Sequence, residues 1–290
     1  MKNKSFTSGL SVSVFALTMI ILSLIFSAAF RASGADTGSA AARAIFQLPC
    51  LSGAAAVFLY CRFTLGKEAY RFGGFKAAGA KYYGYAALLL FAMFFGLSGL
   101  NNIFTEFLKN TFGYESEPIK LPDFTVGGYI LTVFSLCVVP AASEEAVFRG
   151  FALGGIKGNK YVSALITGFL FAVYHMNPTQ TAYQFAVGFL LGLLSASSGS
   201  VFPCVAVHFL NNFAIITLSY FVPDALSFSG AWKIVSVIAG AVAAAAYLVL
   251  IALDKTEKEE KENYSYKNFM LGASVAALAF ILFWTANLVK

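Results

Sequence analysis

Nine runs of roughly 20 mostly apolar residues follow one another along this chain, near positions 9–30, 44–61, 83–105, 127–153, 161–176, 182–197, 200–221, 231–253 and 268–288. A run of that length crosses the hydrocarbon layer of a bilayer as a helix. Inside that layer only helices and closed barrels satisfy their own backbone. The expected fold is therefore all-α, a polytopic transmembrane helical bundle of about eight or nine spanning helices. Charged residues make up 12% of the chain and hydrophobic ones 59%, against roughly 25% charged in a soluble domain, so a soluble core is excluded. No linker, low-complexity tract or internal repeat divides the chain, and residues 1–290 read as a single integral membrane domain.

Lys2 and Lys4 precede the first run, and Ser27-Ala28-Ala29 close it, in the manner of a secretory signal. Its apolar stretch from Gly9 to Ala29 outruns the roughly 7–15 residues of a signal core, so a retained helix is expected. The net charge of +6, from 20 Lys and Arg against 14 Asp and Glu, is distributed by loop rather than gathered for nucleic acid. The loop after the second run holds Arg62, Lys67, Arg71, Lys76 and Lys81 against Glu68, and residues 106–123 hold Glu106, Glu115, Glu117 and Asp123 against two lysines. The positive-inside rule places the first loop, the N-terminus, Lys157 and Lys160 in the cytoplasm. A cell-membrane, multi-pass protein follows, with the bilayer as a partner and no nucleic acid. Nine spans would leave Lys290 outside. Residues 254–267 mix both charge signs and read as a short solvated hairpin.

Against this apolar background a few polar side chains stand out. Ionisable groups at membrane depth are costly and mark function by default. The chain has two histidines, His175 and His208, both inside apolar runs, and an acidic pair, Glu144-Glu145, in an earlier run. Pro140 removes a backbone donor, frees the carbonyl of Leu136 and predicts a kink just before the acidic pair. Glu145 and Arg149 are four apart with the acid first, the favourable order for an ion pair on a helix. Glu144 lies about 100° round the helix. Glu145 is thus expected in a structural pair with Arg149, and Glu144 in the cavity as a general base. Phe171 is one turn before His175 on the same face, where it walls the imidazole from lipid. Asn211 and Asn212 follow His208 at i+3 and i+4, both reachable from its face.

The four cysteines, Cys50, Cys61, Cys137 and Cys204, form no CxxC pair and sit in or beside apolar runs, as small hydrophobes do. Cys204 is four residues before His208, so a thiol nucleophile with an imidazole base is geometrically open. No third group in the sequence orients that pair, which favours a packing cysteine.

Glu144-Glu145-x-x-x-Arg149, Phe171-x-x-x-His175 and His208-x-x-x-Asn212 resemble, in order and separation, the motifs of the CPBP family of intramembrane proteases, also called type II CAAX prenyl endopeptidases or Abi proteins. Phe185-Ala-Val-Gly188-Phe-Leu-Leu-Gly192 and Ser198-Gly199-Ser200 resemble that family's helix and tight turn. The likeness spans about 140–213, with the catalytic helices within about 127–221. It implies an intramembrane endopeptidase in which Glu144 and His175 activate a water, His208 and Asn212 steady the oxyanion, and Glu145, Arg149 and Phe171 support them. The expected cofactor is none. The family's metalloprotease label keeps open a zinc held by Glu144, His175 and His208, although the chain lacks HExxH. The implied partner is a peptide or protein substrate, with lipidated ones included, in peptide or bacteriocin processing or self-immunity. A non-catalytic membrane scaffold or immunity protein using the same cavity is the alternative. A proton-coupled transporter also fits buried Glu and His, but the order of the motifs does not favour it.

Overall fold

A computed structural model describes residues 3–115, 120–222, 230–254 and 264–289, and among them every regular element is helical. The long helices are α1 Lys4–Ser33, α2 Ala40–Leu65, α3 Ala80–Phe112, α4 Val126–Ala152, α5 Lys160–Tyr174, α6 Thr181–Ser198, α7 Phe202–Phe221, α8 Gly230–Leu253 and α9 Tyr266–Leu288. Eight of these runs are long and apolar enough to cross a membrane. The exception is α5. Its 15 residues rise about 22 Å, short of the roughly 30 Å hydrocarbon layer, because the backbone leaves the helix at His175 instead of continuing. The third helix is longer than its apolar run and ends only at Gly113, whose φ of 68° closes it in the left-handed conformation. Glu106 is thus helical rather than part of a loop. Of the sequence expectations, Lys2, Glu117 and most of the 254–267 hairpin lie outside the described residues; at the hairpin's edge Asp254 pairs with Lys81 at 2.8 Å.

Helix starts are written in short polar side chains. Asn3, Ser39, Thr125, Asn159 and Ser265 each accept a hydrogen bond from a first-turn amide of α1, α2, α4, α5 and α9, which covers donors that have no partner inside the helix. The faces turned outward stay apolar, as with Ile21, Leu24, Ile25, Leu278 and Leu282, so they face lipid without cost and association must come from close packing and hydrogen bonds.

Two crossings supply both. Helices α1 and α9 meet at Gly9, where a Cβ would lie 1.9 Å from the carbonyl oxygen of Phe269, and Ser13 donates to the Gly272 carbonyl at 2.7 Å. Helices α5 and α6 form an antiparallel hairpin at Gly168 and Gly188, where a Cβ on Gly188 would come within 2.9 Å of the Gly168 Cα. The turn after α6 is held from the loop between α2 and α3, since Ser200 Oγ donates to the Lys76 carbonyl at 2.5 Å and the Val201 amide to Gly74 at 3.1 Å. Ser5 and Ser8 of α1 donate to the Gly155 and Ala152 carbonyls at 2.8 and 2.7 Å, tying the first helix to the end of α4.

Helix α4 carries the acidic pair, and it runs on through Pro140. π-type turns at Phe134–Val138 and Ala146–Ala152 flank the α-helical Val139–Glu145. Irregular backbone of this kind is common at functional sites.

Candidate active site

The two adjacent glutamates point to different neighbours. Glu145 is fully buried, and its Oε1 accepts from Arg149 Nη1 at 3.0 Å and from His208 Nδ1 at 2.8 Å. The i, i+4 pair expected from spacing is present, but it is one arm of a three-residue cluster that joins α4 to α7. Arg149, buried as well, donates through Nη2 to the Gly188 carbonyl at 3.4 Å and lies over the Phe171 ring at 4.1 Å. Ser195 Oγ donates to its carbonyl at 3.0 Å. Arg149 thereby links α4 to both arms of the α5–α6 hairpin.

Glu144 is 6% exposed, and among the described residues no cation pairs with its carboxylate, in contrast to Glu145. Its Oε1 accepts from the Tyr174 hydroxyl at 3.2 Å, while Oε2 is buried without a protein partner, as is Glu145 Oε2. Tyr174 also lies 3.6 Å from Cys50 Sγ, so α2, α4 and α5 meet at this hydroxyl.

His175 stands at the end of α5, with Nδ1 2.9 Å from the Phe171 carbonyl. A carbonyl only accepts, so Nδ1 carries the proton of the neutral ring and Nε2 is left as a base, a tautomer inferred from the partner. The Phe171 ring stands edge to face with both imidazoles, at 4.7 Å from His175 and 6.3 Å from His208. It walls two imidazoles and a guanidinium, more than the single histidine expected of it.

On α7 the expected partners of His208 turn elsewhere. Asn212 Nδ2 donates to the Leu136 carbonyl at 3.1 Å, the oxygen that Pro140 deprives of its helical donor. Asn211, the more buried of the two, accepts from Tyr183 at 3.2 Å and donates to Asn212 Oδ1 at 3.3 Å. Tyr183, Asn211, Asn212 and Leu136 thus form one hydrogen-bonded chain across α6, α7 and α4, and Asn212 keeps one N–H beyond it. His208 facing a carboxylate through Nδ1 has consequences too. Nδ1 carries a proton there, and Nε2 becomes a donor only when the ring carries both.

Cys204 is fully buried and its thiol donates to the Leu191 carbonyl at 3.3 Å, away from the His208 ring nitrogen held by Glu145. Cys204→Ala is expected to keep activity within about twofold and to cost about 1 kcal/mol of stability, the scale of a small cavity. Peptide cleavage and thermal unfolding measured side by side test this; a loss above tenfold in a folded variant would restore the thiol nucleophile.

Tyr174, Tyr183 and Ser195 escaped the sequence reading, and Cys50 was read there only as a small hydrophobe. Tyr174 alone had a signal, its place beside His175, since its i−3 neighbour Phe171 was already assigned to the cavity. Among the described residues, no three His, Cys, Asp or Glu side chains form a group able to hold a metal ion. Glu144, His175 and His208 are accordingly not gathered into such a group, although the Nδ1 contacts of the two histidines leave each Nε2 open to another partner.

Residues 126–214 match the family model described as Rce1-like, Type II CAAX prenyl endopeptidase Rce1-like. The match begins at the first turn of α4 and ends two residues after Asn212, so it takes in Glu144, Glu145, Arg149, Phe171, His175, His208 and Asn212, and none of α1, α2, α3, α8 or α9. No curated protein and no solved structure matches the chain. Residues 126–214 are thus similar to an Rce1-like domain, which supports a membrane protease at a coarse level, and eight helices long and apolar enough to cross a membrane fit a multi-pass membrane protein.

Proposed function

We propose that this protein is an intramembrane endopeptidase that hydrolyses peptide bonds of membrane-associated peptides or proteins, lipidated ones included, with a water activated by Glu144 and without a metal. One observation carries the reading, the division of labour in the acidic pair. Both carboxylates leave Oε2 without a partner among the described residues, but the Oε1 of Glu145 is engaged by Arg149 and His208, whereas that of Glu144 meets only the neutral Tyr174 hydroxyl. A buried carboxylate oxygen so placed is a proton acceptor for a water.

In the proposed reaction Glu144 takes a proton from the water as its oxygen attacks the scissile carbonyl carbon. His175 Nε2 accepts the second hydrogen and orients the nucleophile. The carbonyl oxygen becomes an oxyanion, met by the second N–H of Asn212 and by Nε2–H of a doubly protonated His208, with Glu145 as its counter-charge. The C–N bond then breaks, and Glu144 returns its proton to the departing amine. One water is consumed, and a carboxyl and an amino terminus are released. Arg149 and Phe171 hold the three helices in register. We place the N-terminus and the 62–81 loop in the cytoplasm on the strength of their lysines and arginines, and treat the chain as one integral domain.

The test uses the full-length protein in proteoliposomes with a labelled farnesylated peptide and its unlipidated counterpart. Mass spectrometry is expected to find a single new terminus in at least one of them, and cleavage is expected to survive a strong chelator, with well under one zinc per chain by elemental analysis. Stoichiometric zinc lost together with activity, and restored with it, would replace the metal-free reading. Intact peptides in every condition, with well-folded protein, would favour the non-catalytic scaffold.

A further inference from the structure

Met176 follows the proposed water-orienting histidine directly, and it is the one non-glycine residue among those described with positive φ, at 50°. Side chains seldom hold that conformation unless the surroundings impose it. The surroundings here belong to α9, a helix outside the Rce1-like segment. Asn287 Nδ2 donates to the Met176 carbonyl at 2.7 Å. Three residues earlier, on the same face, Trp284 Nε1 donates to Thr181 Oγ1 at 2.7 Å, and that hydroxyl donates on to the Asn177 carbonyl at 3.2 Å. Both ends of the 176–181 turn are thus gripped by one helix. At its other end α9 grips the start of α5, where Tyr266 Oη accepts from the Asn159 amide at 2.8 Å.

We propose that α9 is a splint along α5 whose Asn287 and Trp284 are positioning residues for His175, holding the strained Met176 turn so that the imidazole keeps its edge-to-face place against Phe171. The physical need is local. Because α5 stops short of the bilayer thickness, its exit turn puts irregular backbone at depth, and such backbone persists only where protein groups satisfy it. The carbonyl of Met176 and the relay from Trp284 through Thr181 are where that is done. The turn's geometry and the direction of His175 are then one variable. Releasing the clamp lets Met176 relax to negative φ and carries the ring with it. This inference rests on the endopeptidase reading for its consequence in turnover, though not for the clamp itself.

The chain's two histidines make a direct test practical. The purified full-length protein is treated with diethylpyrocarbonate, and modification of His175 and His208 is followed separately by mass spectrometry. Asn287→Leu is expected to change the His175 rate at least about threefold and leave His208 unchanged. It is also expected to lower kcat on the cleaved peptide about ten- to a hundredfold at similar KM, the scale of a small misplacement of a reacting group. Adding Met176→Gly, which adopts positive φ without a clamp, should bring both readouts back to within about threefold of wild type. Should Asn287→Leu fail to accumulate, Thr181→Val removes the relay hydroxyl at matched shape and carries the same expectations. Equal changes at both histidines, or no rescue by Met176→Gly, would reduce α9 to general support and overturn the proposal. A rescued His175 shift in a protein whose cleavage is indifferent to Glu144→Gln would leave the clamp standing and sink the endopeptidase mechanism instead.

Discussion

Glu144→Gln is expected to accumulate and unfold like the wild type yet lose about 10²–10⁴-fold in turnover, the contribution of a positioned general base. Glutamine keeps the shape and the Oε1 acceptor, so the Tyr174 hydroxyl that now lies 3.2 Å from Glu144 retains its partner. What it removes is the basicity of the second oxygen, buried and without a protein partner. A neutral amide is also easier to bury than a carboxylate, so stability should hold or rise slightly. Cleavage of the labelled peptide in proteoliposomes and thermal unfolding in detergent measure the two quantities on one preparation. Retention of more than about a tenth of the activity would remove Glu144 from the chemistry. It would also revive the scaffold reading, since a cavity that merely binds a peptide tolerates the exchange.

What could be read from the sequence divides along a physical line, between contacts within a helix and contacts between helices. The Glu145–Arg149 pair and the Phe171–His175 stacking are set by 3.6-residue periodicity, and both were legible from spacing alone. Pro140 likewise announced that the Leu136 carbonyl would lack its helical partner. That Asn212 would supply the replacement donor was not legible, because 76 positions separate the two and their meeting depends on how α7 lies against α4. The same holds for His208, which turns to Glu145 across 63 positions. Register between membrane helices is set by small residues such as Gly168 and Gly188, and apolar periodicity does not say which glycine faces which helix. The acidic pair shows the cost of that blindness. Spacing assigned Glu145 one partner, and packing gave it two, so a residue read as structural support also holds the proposed oxyanion donor. Length was misleading in another way. The run at 161–176 is apolar enough for a full crossing, yet the helix ends at Tyr174, and the turn that follows is held by a helix more than a hundred positions away.

Glu145 should therefore show the opposite balance from its neighbour, with stability lost first. Glu145→Gln is expected to destabilise the protein by about 3–5 kcal/mol, the cost of leaving one member of a buried ion pair without its counter-charge. Both side chains are fully buried, and the remaining partners of Arg149, the Gly188 carbonyl at 3.4 Å and the Phe171 ring at 4.1 Å, carry no charge to replace the carboxylate. The pairing, rather than the glutamate alone, is what matters for folding. Combining Glu145→Gln with Arg149→Met removes the uncompensated charge and fills the same space with an apolar chain, so the double variant should recover at least half of the lost stability. Activity should not return with it, because His208 Nδ1 still lacks the carboxylate that now lies 2.8 Å away, and a doubly protonated ring then has no counter-charge. Unfolding in mixed detergent, compared with peptide cleavage by the same folded fractions, separates the two effects. If Glu145→Gln folds as well as wild type, or if the double variant regains turnover together with stability, the cluster is neither the structural tie between α4 and α7 nor the support of the oxyanion donor.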